Sequence, residues 1–230
     1  MRKISLNSPP TLIKAFFLVD VGLCLLYMAN FLIGQPSWKV NHLLDLDGEV
    51  SVSAWYSSTQ LFCIFVFSAI YACKKIDESR RSFLIVGLPV VFLMMSIDES
   101  VQLHEWLGKM SDVLLQDESR KGTIFEATGI WMFVIGLPFL ITFFVWAYAV
   151  KEYFLEDIPS FIKLNIGMVV LLLGALGVEI VTNFTYHDMN IYVFEVFIEE
   201  GLEMLGATII LWAVYDLSVG YIPELCKKNA

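Results

Sequence analysis

Long apolar runs separated by short polar segments make up most of this chain. One helical crossing of a bilayer takes roughly 20 apolar residues. Runs of that length predict six transmembrane helices, with tryptophan and tyrosine near several of their ends, as is typical of a membrane interface. The predicted helices cover residues 12–33, 54–73, 83–106, 125–150, 161–183 and 191–219.

The composition supports this interpretation. The chain has 230 residues, of which 57% are hydrophobic and 17% are charged. An ordinary soluble domain carries more charge, about 25% of its residues. Six crossings with short loops use nearly the whole sequence, so we expect a single all-α domain over residues 1–230. The predicted fold is a polytopic membrane protein, a bundle of six transmembrane helices.

Lysine and arginine are distributed unevenly between the two sides of the predicted bundle. Of the 15 Lys and Arg residues, all but four fall on the side that carries both termini. Because basic loops resist translocation, both termini are expected to be cytoplasmic. The net charge of −9 argues against a nucleic-acid partner, which requires clustered basic residues. The four exceptions are Lys39, Lys109, Arg120 and Lys121.

Acidic residues and all three histidines gather on the opposite, outer side. Carboxylates in a loop need no explanation, whereas each one placed centrally in a span costs about 2.5 to 3.5 kcal/mol on insertion scales. The residues on this side are Asp45, Asp47, Glu49, Asp98, Glu99, Glu105, Glu126, Glu179, Asp188, Glu195, Glu199, Glu200 and Glu203, with His42, His104 and His187.

The sixth predicted helix carries the most informative acidic pattern. At about 100° per residue, Glu195, Glu199 and Glu203 form one stripe, and Glu200 lies on its margin. Gly206 falls on the same stripe and would allow another helix to approach closely. On the third predicted helix, by contrast, the acidic residues and His104 spread over too wide an arc for a straight helix to direct them all at one centre.

No Lys or Arg lies within the outer half of these spans, so the carboxylates must bind cations, share protons or face water. Carboxylates with imidazole are ligands for iron, manganese and zinc, and dinuclear centres in helical bundles use about four carboxylates and two histidines. The sequence therefore predicts a mononuclear or dinuclear metal site. Its predicted ligands are Glu99, His104, Glu105, Glu179, Glu199 and Glu203, with Glu200 and His187 in proton transfer.

Each of these patterns also has a structural interpretation. The stripe on the sixth helix could consist of glutamates that pack helices together. Glu99, His104 and Glu105 could form a charged helix end that emerges into water, and His187 could belong to an ordinary loop. Asp20, near the middle of the first helix, could relay protons or be a hydrogen-bonded structural residue.

Four sequence segments carry a resemblance to a known group of proteins. They are DLDGE at 45–49, WYSS at 55–58, DESVQLHE at 98–105 and EEGLEMLG at 199–206. With these segments the chain resembles a group of bacterial multi-pass membrane proteins that have no established activity. The resemblance implies a bacterial inner (cytoplasmic) membrane, which puts the site on the periplasmic side. The chain also resembles the membrane zinc hydrolases of the ceramidase and progestin-receptor type, although its order and spacing of His, Asp and Ser differ from theirs.

Two functions from different classes are consistent with the sequence. The first is a membrane-embedded metal-dependent enzyme, of hydrolase or di-iron oxidoreductase type, that acts on a lipid or other hydrophobic substrate. The second is a transporter or channel for protons or divalent cations with an acidic outward-facing vestibule. A transport path would need polar residues in the inner half of the spans, where Asp20 and Asp216 are nearly alone, and this scarcity favours the enzyme. A sensor or assembly partner is a third hypothesis, and the oligomeric state stays open.

Overall fold

A computed structural model describes residues 8–76, 82–115, 120–121, 123, 125–126, 129–154, 157–185 and 188–219. All regular secondary structure within these ranges is helical. The α-helices are α1 (Thr11–Leu32), α2 (Trp38–Leu44), α3 (Val52–Lys75), α4 (Gly87–Val101), α5 (Leu103–Ser111), α6 (Leu137–Phe154), α7 (Ile158–Leu172), α8 (Glu179–Thr185) and α9 (Met189–Val219).

Six helical segments of the described residues are long and apolar enough to cross a membrane, which confirms the predicted number of spans. Two of them contain a π-helical turn. The turn Met132–Gly136 leads into α6, and the turn Leu173–Val178 joins α7 to α8. The spans are Thr11–Leu32, Val52–Lys75, Leu84–Val101, Met132–Phe154, Ile158–Thr185 and Met189–Val219. The protein is therefore an all-α, polytopic membrane protein.

Two predicted helix bounds were wrong. The third span ends at Val101, because Gln102 adopts a left-handed conformation with φ of 60° and the chain then starts the separate helix α5. The fourth span starts at Met132 and not at 125, so that Glu126 lies in a turn before the helix. Neither break is marked by proline, so the hydropathy pattern alone did not indicate where these two helices end and begin.

Helix α9 is the centre of the bundle. It packs against α1, α3 and α7. In its most apolar 18-residue stretch 56% is buried, against 17% in the corresponding stretch of the span that contains α6. Gly206 lets the backbones of α7 and α9 meet, since a Cβ atom at this position would lie 2.4 Å from the amide nitrogen of Leu171. Close approach through small residues is a common way to pack helices in a membrane.

The two ends of the bundle differ in charge. We call the end with Lys74, Lys75 and Lys151 the basic end, and the end with α2 and the start of α9 the acidic end. At the basic end, the ammonium group of Lys163 on α7 donates to Asp216 on α9. Lys163 also lies 4.4 Å from the ring centroid of Trp212 on α9, so this end of the α7–α9 pair is tied by charge and by a cation–π contact.

A buried hydrogen-bond network joins α1, α3 and α9 near the middle of the bundle. Asp20 is 4% exposed, and its Oδ1 accepts from Tyr56 Oη at 2.6 Å and from Gln60 Nε2 at 2.9 Å. Its Oδ2 accepts from Thr208 Oγ1 at 2.7 Å. Of the two interpretations of Asp20, the contacts match the hydrogen-bonded structural residue, because three donors on two other helices satisfy the carboxylate.

Candidate functional site

A cavity of about 790 Å³ lies at the acidic end of the bundle. Its walls come from α3, α4, the span that contains α7 and α8, α9, and the π-helical turn before α6. The loop residues Asp47, Gly48 and Glu49 also line it. Sites that hold small ligands typically measure roughly 300 to 1,000 Å³, so this cavity is large enough for one.

Carboxyl groups dominate the polar lining of the cavity. Two basic residues, Lys109 and Arg120, also line it. Arg120 forms an ion pair with Asp112, whose Oδ2 lies 2.9 Å from Arg120 Nε. The acids outnumber the bases, so the cavity attracts cations and donors of hydrogen bonds. The eight acidic residues are Asp47, Glu49, Asp98, Glu99, Glu179, Glu199, Glu200 and Glu203.

One face of α9 supplies three of these acids. Glu199, Glu200 and Glu203 line the cavity together with Val196 and Ala207, a spacing that places all of them on one side of a helix. Glu200, predicted on the margin of the stripe, is thus in the cavity. Glu195 is buried, accepts a hydrogen bond from Thr185 on α8, and is not among the lining residues, so the polar face is rotated from the predicted one.

Carboxylates from three spans are electrostatic neighbours within the cavity. Glu203 interacts with Glu99 of α4 and Glu179 of α8, and Glu200 also interacts with Glu99. Glu199 in turn interacts with Glu179. Like charges that interact inside a membrane protein are unfavourable unless a cation or shared protons offset them, because the low dielectric weakens screening.

The helix that carries Glu179 is irregular just before this residue. The π-helical turn Leu173–Val178 ends there, and Glu179 Oε1 accepts a hydrogen bond from Trp131 Nε1 at 2.8 Å. Trp131 itself precedes the other π-helical turn, Met132–Gly136. Single π-helical turns in α-helices are frequent at functional sites, because they redirect side chains at a cost in helix stability.

Gln102 adds a third irregularity at the cavity wall. Its φ of 60° and ψ of 43° lie in the left-handed region, which is unfavourable for a residue with a side chain. Gln102 lines the cavity, as do Asp98 and Glu99 on the turn before it. Backbone strain of this kind persists only where the surrounding structure holds it, and it often clusters at ligand sites.

The cavity floor is formed by Gln60 and Ser57 of α3 together with Met204 and Ala207 of α9. Gln60 is 0% exposed, and its Nε2 donates to Asp20 and to the carbonyl oxygen of Met204. In the described part of the chain, neither Gln60 Oε1 nor Ser57 Oγ has a hydrogen-bond partner. The apolar part of the lining includes Leu61, Met95, Ile135, Phe139, Leu171, Leu172, Leu176 and Met204.

Four of the six predicted metal ligands line this one cavity, namely Glu99, Glu179, Glu199 and Glu203. His104 and Glu105 belong to α5, but their side chains lie outside the described part of the structure, and so does the whole of His187. Within the described residues, no three His, Cys, Asp or Glu side chains are arranged so that they could hold a metal ion. The carboxylates therefore share a cavity without forming a ready metal centre by themselves.

Several lining residues escaped the sequence analysis. Gln60 had a detectable signal, because a glutamine in the middle of an apolar span is costly and calls for a partner. Ser57 and Trp131 had none, since serine and tryptophan are ordinary in a span or at its end. Lys109 and Arg120 appeared as loop residues, and only the fold brings them to the cavity.

The fold and the cavity define a multi-pass helical membrane protein with an acidic internal cavity. The chain belongs to the DUF8692 family, described as a domain of unknown function, whose profile matches residues 16–219. This match covers nearly all of the six spans and agrees with the resemblance to membrane proteins without an established activity. Neither a curated protein nor a solved structure matches the chain.

Proposed function

We propose that this protein is a membrane-embedded enzyme that uses one or two divalent metal ions to act on a lipid or other hydrophobic substrate. The observation that carries the proposal is the convergence of Glu99, Glu179, Glu199 and Glu203, from three different spans, on one cavity with apolar walls. The proposed setting is a bacterial cytoplasmic membrane, with cytoplasmic termini and the cavity on the periplasmic side.

The cavity carboxylates are the proposed metal ligands. Oxygen ligands suit manganese, iron and, with a histidine, zinc, so His104 and Glu105 of α5 would complete the set. A bound ion would activate water for hydrolysis or dioxygen for oxidation. Because the described carboxylates repel one another, binding of the ion is expected to draw them together. Glu200, which interacts with Glu99, Glu199 and Glu203, would accept or deliver a proton.

The apolar wall of the cavity favours a hydrophobic substrate. Met95, Phe139 and Leu176 face the same space as the glutamates, so an amphiphile could place its chain on one side and its polar group on the other. Sites for such ligands are mostly apolar with a few fixed polar groups.

The core below the cavity favours an enzyme over the alternative, a transporter or channel for protons or divalent cations. One turn beyond the floor, Ile64, Phe92, Met168, Ile210 and Leu211 are all fully buried and pack into one cluster. A polar path from the cavity to the basic end would have to cross this cluster. Flux of protons or Mn²⁺ in proteoliposomes tests the alternative directly, and sustained flux that the Glu203→Gln variant abolishes would favour it.

Metal analysis of the purified protein tests the proposal. The protein is stripped with EDTA, refilled separately with Mn²⁺, Fe²⁺ and Zn²⁺, and assayed for bound metal by mass spectrometry. One or two equivalents are expected in the natural protein, with affinity reduced about tenfold or more in Glu199→Gln and Glu203→Gln. Retention of zinc would favour the hydrolase, and retention of iron the oxidoreductase.

Glu195→Gln is the matched control, because Glu195 is a buried glutamate of the same helix that contacts Thr185 and does not line the cavity. It should bind metal like the natural protein. A metal content near zero in the natural protein, or equal binding by all three glutamine variants, would rule out the metal enzyme.

A further inference from the structure

The floor of the cavity contains two buried polar atoms that the protein itself leaves unused. Gln60 Oε1 and Ser57 Oγ have no hydrogen-bond partner in the described part of the structure, and both residues line the cavity. Gln60 has no exposed surface. Buried polar atoms in native proteins nearly always have a partner, so two orphans on one wall of one cavity need an explanation.

The orientation of Gln60 follows from its other contacts. Its Nε2 lies 2.9 Å from Asp20 Oδ1 and 3.4 Å from the carbonyl oxygen of Met204, both of which accept hydrogen bonds. The amide nitrogen therefore belongs on that side, and Oε1 is the atom of this cavity-lining side chain that has no partner in the described part of the structure. This oxygen can only accept a hydrogen bond.

We propose that the cavity floor is a binding subsite for the hydroxyl or amino group of an amphiphilic ligand, which donates a hydrogen bond to Gln60 Oε1 and contacts Ser57 Oγ. The proposal rests on the proposed function only in assigning the ligand to the same cavity, and it narrows the substrate class to amphiphiles with a hydrogen-bond donor. The ligand's chain would lie along the apolar wall near Leu61, Met95 and Leu172.

The charge of the cavity supports a donor over an acceptor. Carboxylates of Glu99, Glu200 and Glu203 line the same space as Gln60, and they would repel a carboxylate or phosphate that entered as far as the floor. A hydroxyl or ammonium group instead gains from the same field. Fatty acids and phosphate groups are therefore expected to be excluded from the floor.

Binding of matched twelve-carbon probes tests the subsite. Dodecan-1-ol and dodecylamine carry a donor, whereas dodecyl methyl ether has an oxygen and no donor. Dissociation constants are measured by the thermal stabilisation that each probe gives the purified protein in EDTA. The alcohol, the amine or both should bind the natural protein about fivefold more tightly than the ether, the value of one net hydrogen bond. A preference for the alcohol alone assigns a hydroxyl, and for the amine alone an amino group.

Ser57→Ala and Ser58→Ala form the matched pair of variants. Ser58 donates to the carbonyl oxygen of Ser96 at 2.8 Å on α4 and does not line the cavity. Ser57→Ala should lower the affinity for the preferred donor probe severalfold and leave the ether unchanged. Because Ser57 Oγ has no partner within the described residues, this variant should unfold at the same or a higher temperature than the natural protein. Ser58→Ala should be less stable but bind every probe as the natural protein does.

Equal binding of the ether and both donor probes would overturn the subsite, as would an unchanged affinity of Ser57→Ala for the preferred donor probe. Either result would mean that water fills the floor or that the glutamates alone hold the probe. The measurement is made on metal-free protein, so a negative result would not contradict the proposed metal site. A failed metal analysis likewise leaves the subsite standing.

Discussion

The nitrogen and the oxygen of the Gln60 side-chain amide have different surroundings. Its nitrogen joins the network around Asp20, which ties α1, α3 and α9 together, and its oxygen has no hydrogen-bond partner among the described residues. The position of the cavity floor is thus set by a network in the bundle core. At this scale the polar residues of the spans divide into those that hold helices together and those that line the cavity.

Asp20 belongs to the first group, and its replacement should destabilise the fold. Asp20→Leu removes the acceptor that Tyr56, Gln60 and Thr208 share. Tyr56 can still donate to Phe16 O and Gln60 to Met204 O, so Thr208 is the donor that loses its acceptor, and one buried unsatisfied group costs about 1 to 3 kcal/mol. Asp20→Asn keeps one acceptor oxygen and should lose less. Thermal unfolding in detergent, monitored by tryptophan fluorescence, should give unfolding temperatures that decrease from the natural protein to Asp20→Asn and then to Asp20→Leu. Leu18→Ala, at a 74% exposed position on the same helix, should be close to natural. A fully stable Asp20→Leu would contradict the structural role.

Gln102 provides a prediction about backbone strain. Gln102→Ala and Gln102→Gly both remove the side chain from the cavity wall, but only glycine adopts a φ of 60° without steric cost. Gln102→Gly should therefore be more stable than Gln102→Ala by about 1 kcal/mol. Chemical denaturation in mild detergent measures the difference. The opposite order, which ordinary helix propensity would give, would mean that the break between α4 and α5 is not strained.

At the scale of whole elements, the packing of the bundle is uneven. α9 packs against α1, α3 and α7, whereas the span that contains α6 has the smallest buried share in its most apolar stretch. The cavity lies between these two helices, with a π-helical turn on the α6 side. The glutamates of α9 thus lie on the most buried span, and the opposite wall belongs to the least buried one.

The crossing of α7 and α9 should tolerate no side chain at Gly206. A Cβ atom there would lie 2.4 Å from the backbone nitrogen of Leu171 and 2.7 Å from its Cα, so the helices must move apart. Gly206→Ala is expected to lower the free energy of unfolding by about 1 to 3 kcal/mol, the usual range for overpacking a well-packed core. The unfolding temperature should fall by several degrees. The control is Gly22→Ala on α1, where no atom lies within 4 Å of the added methyl group. Equal stability of both variants would contradict the close contact.

At the scale of the whole molecule, the opposite charge of the two ends predicts its orientation. Lys74, Lys75 and Lys151 mark the basic end, and basic residues are retained on the cytoplasmic side. The cavity at the other end should then open toward the periplasm. This orientation decides which pool of substrate and metal the site would meet.

Cysteine labelling in intact cells checks the orientation. In a chain whose natural cysteines are replaced by serine or alanine, Lys39→Cys lies at the acidic end and Glu152→Cys at the basic end, and both positions are exposed. A membrane-impermeant maleimide should label Lys39→Cys in bacterial cells with a permeable outer membrane, and Glu152→Cys only after the inner membrane is broken. The reverse pattern would place the cavity in the cytoplasm.

The sequence was most informative where the signal is local. Hydropathy located the six spans, and helical periodicity identified Glu199 and Glu203 on one face of α9, because both signals lie within a single helix. The partners of Gln60 could not be found this way, since Asp20 is 40 residues away and Thr208 is 148 residues away. The break at Gln102 and the π-helical turns likewise depend on contacts between helices, which a hydropathy profile does not contain.

The central position of α9 also has a consequence for biosynthesis. Among the six spans, α9 is translated last, yet it supplies Glu199, Glu200 and Glu203 and contacts three earlier spans. Before α9 is translated, the five other spans can enter the lipid but cannot complete the cavity, because α9 supplies part of its lining. The cavity of a nascent chain is therefore completed in a single late event, when the translocon releases α9, the last of these six spans.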